Sequence, residues 1–400
     1  MGLDLEMLRA EFPLLRRKLD GMPMLYLDCA STAPRCAAAI AAVRKFMEHD
    51  TANVHRGVHW LATEASAAFE AARHCVARHL GAVQSEIVFT SGTTQAINLV
   101  ASGLGLHPDD EVLLTGAEHH ANLLPWRERC RVVVLPSRAD GVPCWNELER
   151  HVTARTRLIA THHASNVLGT LAPLAVIAAV AARHKIPWLV DGAQAAGHVR
   201  VDVRELDCTY YAFSAHKLGG PAGTGALYAQ AEALAALQPS QHGGGMVAKV
   251  GAWGQELRLG PARFEAGTPN VEGVLGMAAA LEFLRSVGMD AIAEHGKRLA
   301  ACLLECARGL PGVRVLGADG PAEPRIPLVS LALPEDGLDA ESVARTLSDS
   351  SGILVSAGRH CAHPLHDAIG AKSTLRAAAW IVHDEDDIAR LGQALRALLS

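Results

Sequence analysis

The sequence predicts an α/β protein, a large domain on a doubly wound, mostly parallel sheet followed by a smaller α+β domain. Three observations carry this. Short apolar runs that read as buried strands alternate with helical stretches through the first two thirds of the chain. One of these runs, Tyr210 to Phe213, is aromatic and stops at Ser214-Ala215-His216-Lys217, where a glycine-rich loop begins. After Arg263-Phe-Glu-Ala-Gly-Thr-Pro-Asn270 the regular alternation gives way to a long helical stretch and a Pro/Gly-rich region. The expected division is an N-terminal segment, residues 1–25, packing near the small domain, then a large domain over 26–270 and a small one over 271–400.

Taken in order, Met24 to Asp28 reads as a short strand ending in the small-residue turn Cys29 to Pro34. A helical stretch, a loop at Asn53-Val-His-Arg-Gly-Val-His59 and a helix from about Thr63 to Leu80 follow. Glu86 to Thr90 is a strand running into Ser91-Gly-Thr-Thr94 and a helix, a geometry that can bind phosphate through free N–H groups and the helix dipole. Ser and Thr at that position also serve as ordinary N-caps. Strands are expected at Glu111 to Thr115, Val132 to Leu135, Leu158 to Thr161 and Ile186 to Val190, with a helix over about Leu174 to His184. The small domain reads as a helical stretch over about 274–309 and a turn region over 311–327. Strand Leu328 to Leu333, a helix around 339–348, strand Ile353 to Val355, a loop over 356–374, strand Leu375 to Ile381 and a helix from Glu385 complete it.

Composition excludes several classes. Half of the 400 residues are hydrophobic and a fifth charged, as in a globular protein. A net charge of -5 gives no electrostatic case for nucleic acid or an anionic membrane as partner. The longest apolar stretch, Leu171 to Ala182, contains Pro173 and is too short to span a bilayer, and the acidic N-terminus lacks a signal peptide's apolar core. Nine scattered cysteines without a C-x-x-C pair suit free thiols in a reducing cytoplasm. No G-x-G-x-x-G follows a strand and no P-loop signature occurs, so neither nucleotide site is supported.

In doubly wound sheets ligands bind beyond the carboxyl ends of the strands. Thr93, His119, Asn166, Asp191, Gln194 and Lys217 all fall there. Alone, a lysine beside glycines reads as a snorkelling surface residue, Asp191 as a helix cap and a histidine as structural. Together they supply what pyridoxal 5'-phosphate requires: an amine for the aldehyde, a carboxylate for the pyridine nitrogen, a ring to stack on and a phosphate cup.

The match extends along nearly the whole chain. Tyr26-Leu-Asp28, Asn53-Val-His-Arg-Gly-Val-His59, Ser91-Gly-Thr-Thr-Gln-Ala-Ile-Asn-Leu-Val100, Glu118-His-His-Ala-Asn-Leu-Leu-Pro-Trp126, Ser165-Asn-Val-Leu-Gly-Thr170, Leu189-Val-Asp-Gly-Ala-Gln194, Phe213-Ser-Ala-His-Lys-Leu218, Arg263 to Asn270 and His360-Cys-Ala-His-Pro-Leu365 stand in family order. The sequence resembles the class V aminotransferase superfamily of fold-type I pyridoxal phosphate enzymes. Within it, it is similar to the group II (SUF-type) cysteine desulfurases and selenocysteine lyases. The resemblance implies that Lys217 carries the cofactor, with His216 beside it contacting the phosphate or orienting the lysine. Asp191 would pair with the pyridine nitrogen, Gln194 donate to the ring's phenolic oxygen, and His119 stack on the ring and move protons. Thr93, Thr94 and Ser214 would hold the phosphate, with Gly267 and Thr268 reaching it from the other subunit of a homodimer. Asn166 and Arg376 would clamp the substrate carboxylate, with His55 and Arg359 also near the substrate.

Cys361 is the candidate nucleophile. Most cysteines are inert core residues, but this one lies in a polar loop, Arg359-His-Cys-Ala-His-Pro-Leu-His366, where basic neighbours favour a thiolate. The resemblance implies that it takes sulfur from L-cysteine as a persulfide, releases L-alanine and passes the sulfur to an acceptor protein or thiol. Its spacing from Arg376 (376 − 361 = 15) fits the short catalytic loop of group II. His360, Cys361, His363 and His366 could also be read as metal ligands, although Pro364 interrupts the loop and no second cluster is apparent. Ser356 stands where the family usually has an arginine, and Val382-His383-Asp384 where it usually has Tyr-Asn-Thr. Both departures are expected to surround the substrate's side chain. They keep selenocysteine, another C–S substrate, a sulfinate or an epimerisation substrate open beside cysteine. A catalytically silent scaffold is the competing reading of another class.

Overall fold

A computed structural model describes residues 3–320, 323–334 and 337–399. Seven strands form the central sheet: β1 (Ile87–Thr90), β2 (Glu111–Thr115), β3 (Arg131–Leu135), β4 (Thr156–His162), β5 (Trp188–Asp191), β6 (Tyr210–Ser214) and β7 (Gly225–Ala229). Their spatial order is β3-β2-β4-β5-β6-β7-β1. From β3 to β6 every pairing is parallel, and β7 runs antiparallel to both β6 and β1. The strands are apolar along their length because helices cover both faces of the sheet: β1, β5, β6 and β7 are buried at every position. Winding reverses direction between β2 and β4, and such a reversal leaves a crevice beyond the carboxyl ends of the strands.

The helices begin and stop for local reasons. In α1 (Trp60–Leu80) the His59 ring accepts from the N–H of Ala62, and the helix ends at Gly81 in the left-handed region, φ 68°. The N-terminus of α2 (Thr93–Gly103) follows Gly92 directly and has no side-chain cap, which leaves donors free. α3 (Leu174–His184) starts after Pro173 and stops at Lys185. The single helical stretch expected over about 274–309 is two helices, α4 (Val271–Val287) and α5 (Met289–Arg308), broken at Gly288 with φ 95°. α1 and the helix Ala37–Lys45 pack on α4. Between β7 and α4 an exposed hairpin, β8 (Val247–Val250) and β9 (Gln255–Leu257), projects from the surface.

The small domain is a four-stranded antiparallel sheet ordered β10-β11-β13-β12, comprising β10 (Arg314–Val315), β11 (Leu328–Ala332), β12 (Ser356–Gly358) and β13 (Thr374–Ala378). Helices α5, α6 (Ala340–Ser351) and α7 (Glu385–Leu399) pack with it around Leu299, Leu303, Val329, Leu347 and Leu391. Residues 25–28 make ladder contacts with the C-terminal part of the chain. Leu25–Tyr26 pairs in parallel with Ile353–Leu354, and Asp28 bridges to Ala378. The helix Leu5–Ala10 lies against the C-terminal region, where Arg9 pairs with Asp384 at 2.8 Å and Asp387 at 2.7 Å. Part of the expected turn region, residues 321 and 322, lies outside the described residues. No helix among the described residues is long and apolar enough to cross a membrane.

Candidate functional site

A cavity of about 440 Å³ opens at the carboxyl ends of β1, β2, β4, β5 and β6, with β12 and β13 of the small domain forming its opposite wall. Lys217 enters it from the short turn Ala215–Lys217 that ends β6. Burial draws its ammonium down from 10.5 to about 8, with Asp191 pulling the other way. Asp191 closes β5; burial raises its carboxyl pKa, offset in part by the Ala193 N–H at 3.0 Å and by Lys217. Gly192 must follow, because a Cβ there would sit 2.1 Å from the Tyr211 ring.

The other end of the cavity is built for an anion. The N-terminus of α2 points into it, and Ser214 Oγ accepts from the Thr93 N–H at 2.8 Å and lies 2.8 Å from Thr93 Oγ1. Thr94 lines the same wall. Gly92 lets the strand-to-helix turn pass close beneath, since a Cβ on it would come within 3.0 Å of Ser214 Oγ at a backbone φ of 146°. Helix dipole, free N–H groups and hydroxyls together favour a phosphate.

His119 follows β2, and its Nδ1 accepts from the Ala121 N–H at 3.0 Å, which assigns the proton to Nε2. Burial first and Lys217 second lower its pKa to about 4, so the ring is neutral. Gln194 donates to Ala30 O at 2.9 Å, and His216 shares a contact with Thr32 Oγ1 at 3.2 Å. Arg376, on β13, is buried; Ser31 Oγ at 2.7 Å and Asn166 O at 3.0 Å fix its fork, and its Nε has no partner. A buried guanidinium with an idle N–H suits a planar carboxylate. Asn166 donates to His360 O at 2.8 Å, so its side chain also anchors the cysteine loop.

That loop is held in an unusual shape. His360 and Cys361 are both left-handed, φ 47° and 56°, a backbone region costly for side-chain-bearing residues. The His120 N–H donates to Cys361 O at 2.8 Å, and the His363 N–H to His120 Nε2 at 3.2 Å. Cys361 is exposed and lines the same cavity as Lys217. The imidazoles that could have read as metal ligands are engaged otherwise: His360 Nε2 meets Thr374 O, and His366 meets Ala362 O and Thr374 Oγ1. Among the described residues no three His, Cys, Asp or Glu side chains converge as a metal site.

Two residues expected near the substrate, Arg359 and His55, do not line this cavity. Arg359 turns away from the cavity because Asp367 and the carbonyl of His363 capture its guanidinium. His55 pairs with Glu70 at 3.2 Å, in a second cavity of about 440 Å³ that Gly267 also lines; Gly267 and Thr268 are expected at the cup of a partner subunit, and neither lines the first cavity of their own chain. Of the two departures, Ser356 does line the first cavity. Val382-His383-Asp384 does not: His383 is buried, bonded to Tyr26 O at 2.8 Å and to the Trp380 N–H at 2.9 Å, while Asp384 holds Arg9. Their position in sequence beyond Arg376 suggested a substrate contact; the chain turns into the interior instead. The site also contains residues the sequence did not flag. Ser31 steadies Arg376, and His162 lies at the end of β4, which runs one residue past its expected stop. His162 Nδ1 lies 2.7 Å from Glu118 Oε1, and its buried Nε2 has no partner.

An amine of lowered pKa, a carboxylate at one end of the cavity, an anion cup at the other and a neutral imidazole between them fit pyridoxal phosphate in size and donor set. The comparisons point the same way. The Aminotransferase class-V profile matches residues 25–391. A cysteine desulfurase of Cronobacter sakazakii is 40% identical over 401 residues, covering 98% of this chain and 97% of that protein. The apo structure of a cysteine desulfurase from Thermococcus onnurineus superposes with TM-score 0.93 at 31% identity, covering 100% of this chain and 98% of that one. A cysteine desulfurase of Escherichia coli, solved as an S-sulfonic acid, superposes with TM-score 0.89 at 36% identity, covering 100% and 99%. The chain belongs to the class V aminotransferase family.

Proposed function

We propose that the protein is a pyridoxal phosphate-dependent cysteine desulfurase that converts L-cysteine to L-alanine and takes the sulfur onto Cys361. The observation that carries this is the placement of Cys361, the one cysteine of nine that is exposed, on the wall of the cavity that holds Lys217. When bound, pyridoxal phosphate supplies an electron sink that makes the substrate's Cα proton removable. Lys217 would hold the cofactor and would serve as the base for the Cα proton; its lowered pKa keeps a free amine available near neutrality. Asp191 and Gln194 would orient the ring, and His119 would stack on it. The α2 N-terminus, Thr93, Thr94, Ser214 and His216 secure the phosphate end. Arg376 and Asn166 receive the substrate carboxylate and so aim the side chain at Cys361.

The Cys361 thiolate attacks the substrate sulfur. A new S–S bond forms, the Cβ–S bond breaks, and the carbon side accepts the electron pair and a proton to become the methyl of alanine. Cys361 is left as a persulfide, which an acceptor thiol attacks to regenerate it. A homodimer would bring Gly267 and Thr268 to the partner's phosphate cup. The exposed apolar side chains Val58, Trp60, Trp253 and Leu259 are surface that a second copy would cover. The nine free thiols suit a cytoplasmic setting.

Ser356 in the cavity wall favours a second reading, the same cofactor with selenocysteine or cysteine sulfinate as the better substrate. Alanine release from cysteine, selenocysteine and cysteine sulfinate by the purified protein decides between them. Clear preference for cysteine supports the first reading, and preference for another replaces it. Visible absorbance of the holoenzyme, lost in Lys217→Ala, removes the silent scaffold; its absence from the wild type would overturn both enzyme readings.

A further inference from the structure

We propose that His162, held charged by Glu118, is a positioning residue that keeps Asp191 ionised and thereby keeps the cofactor's pyridine nitrogen protonated. This rests on the cofactor reading above. His162 and Asp191 are direct partners in the parallel β4–β5 ladder, so their side chains leave the same face of the sheet about 5 Å apart. Both line the cavity.

The charge on His162 follows from its surroundings. Glu118 is buried; one of its oxygens accepts from Thr115 Oγ1 at 2.7 Å and the other from Asn122 Nδ2 at 2.7 Å, so both oxygens serve as acceptors. His162 Nδ1, 2.7 Å from that carboxylate, must be the donor. A neutral ring would then leave the Nε2 lone pair buried and unpaired on the face of the sheet that also carries the Asp191 carboxylate, a repulsive arrangement. A charged ring presents an N–H there instead, and Nε2 has no partner in the protein that would claim it. Burial opposes charge on His162, but Glu118 outweighs it and raises its pKa.

The pair answers a difficulty in the site. Burial pushes Asp191 toward its neutral acid, and a neutral acid cannot hold a proton on the pyridine nitrogen. An imidazolium between two carboxylates offsets that burial. Lys217 and Arg376, the other cations of the cavity, are committed to the cofactor's aldehyde end and to the substrate.

The test compares pyridoxal phosphate with its 1-deaza analogue, which lacks the ring nitrogen, in the full-length wild type, His162→Gln and Glu118→Gln. The readouts are the dissociation constant of each cofactor and the 15N shift of labelled pyridoxal phosphate in the holoenzyme. His162→Gln should weaken pyridoxal phosphate binding about ten- to a hundredfold, leave the analogue within about twofold, and move the 15N signal toward unprotonated pyridine. Glu118→Gln should shift both in the same direction by less. Equal weakening of both cofactors, or an unchanged 15N shift in both variants, would make His162 merely structural and overturn the proposal. A wild type that binds no pyridoxal phosphate would overturn the cofactor reading first, and the two failures are distinct.

Discussion

The Lys217 ammonium, drawn down from 10.5 to about 8, makes a quantitative prediction for cofactor capture. At pH 7 an amine of pKa about 8 is neutral about a tenth of the time, and one of 10.5 about one time in three thousand. The cavity therefore enriches the reactive amine about 300-fold. The neutral amine attacks the aldehyde, so the rate at which the apo protein captures pyridoxal phosphate should climb with pH, bend near 8 and then flatten. The chief cause is burial; Asp191 opposes it by stabilising the ammonium, and Arg376 adds to it. Asp191→Asn should accordingly move the bend to lower pH. Stopped-flow absorbance of apo protein mixed with pyridoxal phosphate from pH 6 to 10 reads both. A bend at 10 or above in the wild type, or an upward move in Asp191→Asn, would refute the electrostatic reasoning.

With Arg376 in the proposed role of receiving the substrate's carboxylate, Arg376→Ala should lower kcat/KM for cysteine at least about 30-fold, chiefly through KM, because the guanidinium it removes is buried. Arg359→Ala should change KM for cysteine by less than about twofold, since its guanidinium serves Asp367 and the His363 carbonyl; a large rise would return Arg359 to the substrate. Arg73→Met should cost about 3–5 kcal/mol in urea unfolding, because it strands Glu265, which is nearly buried and receives both the Arg73 fork and the Phe89 N–H. Removing the exposed Arg200–Glu205 pair should leave the same measurement essentially unchanged.

The parallel core was legible because a strand buried on both faces must be an apolar run, and because the polar residues that end each run face the same crevice. Lys217, Asp191, His119 and Thr93 could be found this way. β7 escaped detection: it follows a glycine-rich loop directly and reverses the direction of its neighbours, outside the strand-helix alternation that marks the others. The β8–β9 hairpin escaped because its strands are short and mostly exposed, with little alternation to read. Pairing of Leu25–Tyr26 with Ile353–Leu354 joins residues more than three hundred positions apart, and neither segment encodes the other locally. His162 read as loop because only its position beyond the apolar Leu158 to Ala160 was visible; its ladder partner Asp191 gives it meaning. Arg359 and Asp384 show the converse. Each sits next to a functional motif in sequence, and each is drawn away by a carboxylate or guanidinium that only the fold brings near.

Mass analysis of the Cys361-bearing peptide, after the holoenzyme is mixed with L-cysteine and before any acceptor thiol is added, tests the sulfur transfer directly. The peptide should gain one sulfur atom as alanine appears, and Cys361→Ser should gain none and release almost no alanine. Sulfur found on another cysteine, or alanine and sulfide formed by Cys361→Ser at the wild-type rate, would contradict the role given to Cys361.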